Sequence, residues 1–504
     1  MPDQPSGMQW QMSQCLTVAR GFRYLNDPVR KLLRISHLAV LLIILPTTLV
    51  TCMPANQPGL PTSSPFLANN DLAHGVATGD VTSNSALVWF RTAGPEKVQV
   101  QWLPQDGSAL PASSAPILTD EQHDFTGTIR LNGLRPATRY RYKVSAQALD
   151  PVDRTDVSGW FTTSAAEDVS EPVTFVWGGD LGGQGQCRDA GDGYPIFDRI
   201  LTVKPAFALL LGDTIYADNV CPSPPNAPGG DFVATTLDQF RAKYRYQRAA
   251  LALQRFLASV PVYAIWDDHE VRNNFSGPHA PLMPVGRQAL LEYWPIGTPP
   301  DDPYRLYRQI RRGADLELFI LDTRQYRSSN AEPDGPGKTM LGSAQRDWLL
   351  DGLARSTATW KLIATSVPLS NPKGGSARAP GNDSWSRATD GTGFQTELQA
   401  IVQTILDRKI RNVVWLAGDV HYAQVNEYDP NGDGVPDFHE FICGPLSARP
   451  NHPIPPDPAL RPTMFYSEGG FPNFGLVMVD GASLRLKIMD ETGVVHFERT
   501  FSAQ

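Results

Sequence analysis

The chain has 504 residues, of which 41% are hydrophobic and 19% charged, with a formal net charge of −8 at pH 7. That is ordinary for globular protein and leaves room for two or three domains with a sizeable core. The acidic balance argues against stable nucleic-acid binding through a broad basic surface, since that needs clustered Lys and Arg; a phosphate-bearing substrate would need local cations, which bound metal ions supply.

The first expected element is an export segment over residues 1–52. Arg30, Lys31 and Arg34 precede the apolar run Leu38 to Leu45, and small residues lead to Cys52, the pattern of an export signal. The run is short and ends at Pro46, so it makes a poor membrane span, which takes ~20 apolar residues. Residues 1–28 sit awkwardly before such a signal, which makes Val29 a candidate start. Leu49-Val50-Thr51-Cys52 resembles the lipobox of bacterial lipoproteins, with Thr51 where Gly, Ala or Ser is usual. This implies a periplasmic or cell-surface protein with a lipid anchor at Cys52. Once Cys52 is processed, Cys187, Cys221 and Cys443 remain, a count an oxidising compartment allows. Cys187 and Cys221 follow two motif loops at similar distances, and two readings stay open for them: a disulfide, or two buried thiols.

A Pro/Ser/Asn-rich linker fills residues 53–70. Over 71–168 short runs such as Ala86-Leu-Val-Trp-Phe90 and Val98-Gln-Val-Gln-Trp102 alternate between turn residues, which predicts strands. The stretch Leu131-Asn-Gly-Leu-Arg-Pro-Ala-Thr-Arg-Tyr140 resembles the tyrosine corner of fibronectin type III and related sandwiches. The expectation is a small all-β, fibronectin-III-like sandwich.

From residue 172 to 504 apolar strands alternate with polar loops and helical periodicity, which predicts an α/β domain. Val173–Trp177, Ala206–Leu211, Val262–Trp266, Leu316–Leu321, Trp360–Thr365 and Val413–Ala417 are near-continuous apolar runs, as strands covered on both faces require. Several end directly at Asp or Asn, where α/β sheets build their sites.

Five of these ends deliver Gly-Gly-Asp180, Gly-Asp213-Thr-Ile-Tyr216, Trp-Asp-Asp268-His269-Glu with Asn273, Asp-Thr-Arg324, and Gly-Asp419-Val-His421. Hard oxygen ligands with a few imidazoles suit cations such as Fe, Mn, Zn or Ca. In sequence these loops resemble the calcineurin-like metallophosphoesterase superfamily, and within it the alkaline phosphatase D and phosphodiesterase D family. The matching strings are Leu211-Gly-Asp-Thr-Ile-Tyr-Ala-Asp218, Ile265-Trp-Asp-Asp-His-Glu-Val-Arg-Asn-Asn274, Leu321-Asp-Thr-Arg-Gln-Tyr-Arg327, Ala417-Gly-Asp-Val-His421 and His74-Gly-Val-Ala-Thr-Gly-Asp-Val-Thr-Ser-Asn-Ser-Ala-Leu-Val-Trp89. The resemblance covers roughly residues 70 to 500.

It implies a four-layer metallophosphoesterase sandwich flanked by helices and a hydrolase of phosphate esters, either diesters or monoesters. By motif, Asp213 would bridge two metal ions, which lie ~3.5–4 Å apart in such sites. Asp180, Tyr216 and His421 would complete the first position, Asp268 and Asp419 the second. A phenol ionises near pH 10 unless a strong cation lies beside it, so Tyr216 points to Fe(III). Asp180 stands where many members carry a Cys ligand, and no extra His follows in Ser366-Val-Pro-Leu-Ser370. Hence Cys187 is an outside candidate ligand should its loop double back, and an all-oxygen second site suits Ca, with Mn or Zn as alternatives. The metal pair would lower the pKa of a bound water from 15.7 towards ~7, freeing hydroxide for in-line attack on phosphorus. Arg324 is expected to clamp the phosphoryl oxygens, Asn273 to touch the phosphate, and His269 either to protonate the leaving oxygen or simply to fix its turn.

Asp429, Asn431, Asp433 and Asp437, with Gly434 and Glu440, fit the spacing of an EF-hand loop, although no helical pattern flanks them; a structural Ca site and a solvated acidic turn are both open. Two other classes are weighed. One is a surface-anchored, Ca-stabilised binding protein with a relict phosphoesterase site, against which the intact ligand set speaks. The other is metal-dependent oxidation, which would prefer two His and one carboxylate.

Overall fold

The computed structural model describes residues 72–148, 154–372 and 380–504. The expected export segment, Cys52 and the expected linker lie outside the described residues. No helix among the described residues is long and apolar enough to cross a membrane.

Three sheets are found among the described residues. At the centre of the nine-stranded sheet, Val173–Gly178, Phe207–Leu211 and Val262–Ile265 run parallel, each an apolar run that the sequence pattern anticipates. The seven-stranded sheet is built around Leu316–Ile320, Trp360–Ala364, Val413–Ala417 and Phe438–Ile442, again parallel. Alternation assigns their faces. Leu318, Leu362, Val414 and Leu416 join one core with Val176, Leu209 and Ile265 of the larger sheet. Phe319, Ile363, Val413 and Trp415 point the other way, onto the helices Gly342–Arg355 and Gln395–Asp407 through Leu349, Leu353, Leu398 and Ile401. Helices Leu237–Arg248, Leu251–Ser259 and Met283–Tyr293 add Phe240, Phe256 and Leu290 to the first core.

The amino-terminal strands do not stand apart from this sheet. Val76–Gly79, Ser85–Arg91 and Thr126–Asn132 extend it, with Gly79 in parallel register with Val262. A five-stranded sheet containing Glu96–Pro104, Arg139–Ala148 and Arg154–Thr162 closes a separate core with them around Val88, Val100, Leu131 and Tyr142. Period-two alternation locates strands but does not say which sheet edge they join, so continuity across residue 170 has no sequence signal. The tyrosine corner is present: the Arg135 amide donates to the Tyr140 hydroxyl at 2.9 Å.

Cys187 and Cys221 form a disulfide with 5.9 Å between their Cα atoms. It ties the loop after Asp180 to the loop after Tyr216, which resolves the open reading and removes Cys187 from the candidate ligands. Closing 34 residues contributes about 4 kcal/mol in the chain-entropy treatment.

Candidate metal centre

Four ligand candidates at the strand ends adopt left-handed backbone: Asp180 (φ 64°), Asp213 (φ 52°), Asp419 (φ 67°) and His421 (φ 61°). This conformation costs an L-residue roughly 1–2 kcal/mol, and Asp tolerates it better than most. Such strain clusters where a site over-determines the backbone. Gly212, at φ 97°, lets the Asp213 turn press against the next strand end, since a Cβ there would sit 2.3 Å from Cβ of Asp267.

The turns bring the side chains into one buried row. Asp180, Asp213 and His421 offer ligand atoms that all lie within 4.8 Å of one another, as do Asp213, Asp268 and His269, and again Asp267, Asp268 and Asp419. Asp213 and Asp268 each belong to two groups, so the three positions are contiguous. The Tyr216 hydroxyl lies 2.9 Å from Nε2 of His421, which is 3.3 Å from Asp180. Nδ1 of His421 is 2.6 Å from the Arg449 carbonyl. A carbonyl only accepts, so Nδ1 carries the proton and Nε2 faces the cluster, the tautomer a metal ligand needs.

Electrostatics marks the row as a cation site. Burial first, and then repulsion from Asp268, Asp267, Glu270 and Asp180, pushes the Asp213 carboxyl far above its ordinary range. Burial also drives Asp267 up, with Arg324 opposing and Asp268 adding. Tyr216 is raised by burial and by Asp213. Asp180 Oδ2 is buried with no hydrogen-bond partner. Buried carboxylates stacked this way are costly unless a cation neutralises them, so these residues fit metal ions.

Other side chains hold the row in place. Glu270, fully buried, accepts from the backbone amides of Asp213, Thr214 and Asp267 and from the Thr214 hydroxyl at 2.7–3.0 Å. One carboxylate thereby fastens the turns after two strands. The His269 amide donates to Asp213 at 3.0 Å. Its ring stacks on Tyr216 at 4.3 Å and Nδ1 is 2.6 Å from Asp218. Burial alone would lower the imidazole pKa, but Asp268 and Asp218 outweigh it and hold it at about 9. Nε2 of the ring lies 3.9 Å from Asp268.

Arg324 does not sit where a free phosphate clamp would. Its side chain is completely buried, with Nε and Nη2 forked on Asp267 at 2.6 and 3.0 Å and Nη2 3.1 Å from Asp383. Asn273 is exposed; its backbone amide donates to Asp218 at 2.7 Å, and it lines a cavity of about 980 Å³ together with Asp218, Arg272, His279 and Arg327.

The acidic loop lies elsewhere, between Tyr422–Tyr428 and Phe438–Ile442. Asp429 caps the amides of Gly432, Asp433 and Gly434, Asn431 and Asp433 cap the amides two residues on, and Asp437 accepts from the Asn431 side chain. Glu440, the twelfth residue, is turned into the core and accepts from Leu369, Asn426 and Tyr428, because it belongs to a buried strand and not to the turn.

The sequence reading gave no role to Asp267, Asp218, Glu270 or Asp383. The first three stand within the quoted motifs, one or two residues from assigned positions, so their neighbourhood was the available signal. Asp383 lies in a distant loop and had none.

The profile of the PhoD-like phosphatase family matches residues 181–464, and that of the PhoD-like phosphatase N-terminal domain matches residues 59–164. Alkaline phosphatase D of Bacillus subtilis (strain 168) is 27% identical over an alignment of 410 residues that covers 71% of this chain and 66% of the relative's length, just under two thirds. A solved structure of PhoD superposes with a TM-score of 0.71 at 21% identity, covering 87% of this chain and 93% of the other. Purple acid phosphatase PPD1 from yellow lupin (Lupinus luteus) seeds gives 0.61 at 15% identity, covering 85% and 73%. The two structures establish likeness of fold. With its family profile spanning more than half of the sequence, the chain belongs to the PhoD-like phosphatase family.

Proposed function

We propose that the protein is an exported hydrolase of phosphate esters, diesters or monoesters, that works with two or more metal ions. The observation that carries this reading is the row of buried, mutually repelling carboxylates with Tyr216 and His421 at one end. A relict site in a binding protein would have no reason to keep four strained backbone positions. Asp180, Asp213, Tyr216 and His421 would hold the first ion, for which the phenol favours Fe(III). Asp213, Asp268, Asp267 and Asp419 offer oxygens alone and suit Ca, or else Mn or Zn. We read the frame as a four-layer metallophosphoesterase sandwich behind a fibronectin-III-like domain, and the segment through Cys52 as the export signal and lipid-anchor site.

When bound, the ions supply Lewis acidity and an activated water. The chain's own residues do the rest. Glu270 fixes the turns that aim Asp213 and Asp267. His269, held by Asp218, carries a proton that it can give to the leaving oxygen of the ester. Arg324 serves as an internal counter-cation to Asp267, and the contact with phosphate falls to Asn273 at the cavity edge.

The test is metal analysis and a visible spectrum of the purified protein, with hydrolysis of bis-p-nitrophenyl phosphate and p-nitrophenyl phosphate. Bound metal, colour and turnover of at least one ester are expected. A colourless, metal-free protein inactive on both after addition of Fe and Ca would overturn the proposal.

A further inference from the structure

We infer that Asp383 is a positioning residue for the carboxylate end of the metal row, acting through Arg324. Its carboxylate comes from the loop between Trp360–Ala364 and Gln395–Asp407, far in sequence from every metal motif. Its immediate neighbours are packed and hydrogen-bonded. Asn382, Asp383, Ser384 and Trp385 are fully buried. The Asn382 amide donates to Thr392 at 2.7 Å and Ser384 to the Pro368 carbonyl at 2.7 Å. Arg327 donates to the Asp383 carbonyl at 2.9 Å.

From that anchor Asp383 Oδ2 accepts from Nη2 of Arg324 at 3.1 Å, and the same nitrogen with Nε forks on Asp267 at 3.0 and 2.6 Å. Nη2 is also 3.7 Å from Asp268 and 4.0 Å from Asp419. One guanidinium charge thus lies within 4.0 Å of Asp267, Asp268 and Asp419. Left alone, it would compete with a divalent cation for those oxygens. The Asp383 charge offsets it and pins the fork so that Asp267 keeps one orientation. Two consequences follow from the geometry: the pair presets the ligands, and it tunes how tightly they hold a cation, as groups behind a first ligand commonly do by 10–100-fold.

The test uses the full chain and Ca²⁺ as the probe, by calorimetric titration of the wild type and Asp383→Asn. Asp383→Asn is expected to raise the Ca²⁺ dissociation constant 10–100-fold, with kcat recovering at saturating Ca²⁺. In an Arg324→Met background the same substitution should add nothing, since the coupling runs through Arg324. Unchanged Ca²⁺ affinity, with any loss of kcat indifferent to Ca²⁺, would show a merely structural residue and overturn the inference. Should Asp383→Asn not fold, Asp383→Glu keeps the charge and displaces it by one methylene; a dissociation constant raised a few-fold supports the inference and an unchanged one overturns it. Only the kcat arm rests on the phosphoesterase reading. A wild type that binds Ca²⁺ but hydrolyses neither ester removes that reading and leaves the affinity comparison intact, whereas a wild type that binds no Ca²⁺ overturns the inference directly.

Discussion

Asp213→Asn is expected to lower ester hydrolysis by ~10³-fold or more and to deplete bound metal at both positions that Asp213 touches. Asp213 is the residue common to the Asp180/His421 and Asp268/His269 groups, so no neighbour can replace its second oxygen. An amide offers one neutral oxygen where two metal positions need charge. Lewis-acid stabilisation is worth several kcal/mol, and each 1.36 kcal/mol is a factor of ten in rate. Because the carboxyl is pushed up by burial and four neighbouring acids, Asn also relieves repulsion in the metal-free protein. The variant should therefore be no less stable than the wild type in excess chelator, which separates loss of metal from loss of fold. Steady-state kinetics with metal analysis checks it; near-normal turnover with both metals retained would show that Asp213 does not bridge.

Glu270→Ala is expected to have the opposite signature. Three buried backbone amides and the Thr214 hydroxyl lose their acceptor, and each orphaned buried donor costs ~1–3 kcal/mol. A destabilisation of about 4 kcal/mol or more should persist in chelator, because the bonds hold backbone and do not depend on metal. Glu270→Gln keeps one acceptor oxygen and should lose about half as much. Denaturant unfolding with chelator present measures both; equal midpoints for wild type and Glu270→Ala would mean that the turns are held by something other than Glu270.

What the sequence made legible follows physical range. Apolar runs ending in Gly-Asp were enough to place Asp180, Asp213 and Asp419 at strand ends, because a buried strand and a sharp turn are local signals. The tyrosine corner was equally local. Arg324 was expected to face the substrate, and its partners had no signal: whether a guanidinium points at a substrate or at Asp267 and Asp383 depends on a loop 59 residues away. The same holds for sheet continuity between Val76–Gly79 and Val262–Ile265, where strand patterning carries no information about pairing partners. The acidic loop shows the converse. Its spacing satisfies a calcium motif, yet strand register turns Glu440 inward and backbone amides take both carboxylate oxygens of Asp429 and one of Asp433.

The proposed metal positions form one contiguous row built around Asp213. The most direct measurement is anomalous diffraction from crystals grown with Fe and Ca. One strong iron peak is expected among Asp180, Asp213, Tyr216 and His421, with further cation density against Asp268 and Asp419 that shares Asp213 with it. Metal found only on the 429–437 loop, with the Asp213 row holding none, would contradict it.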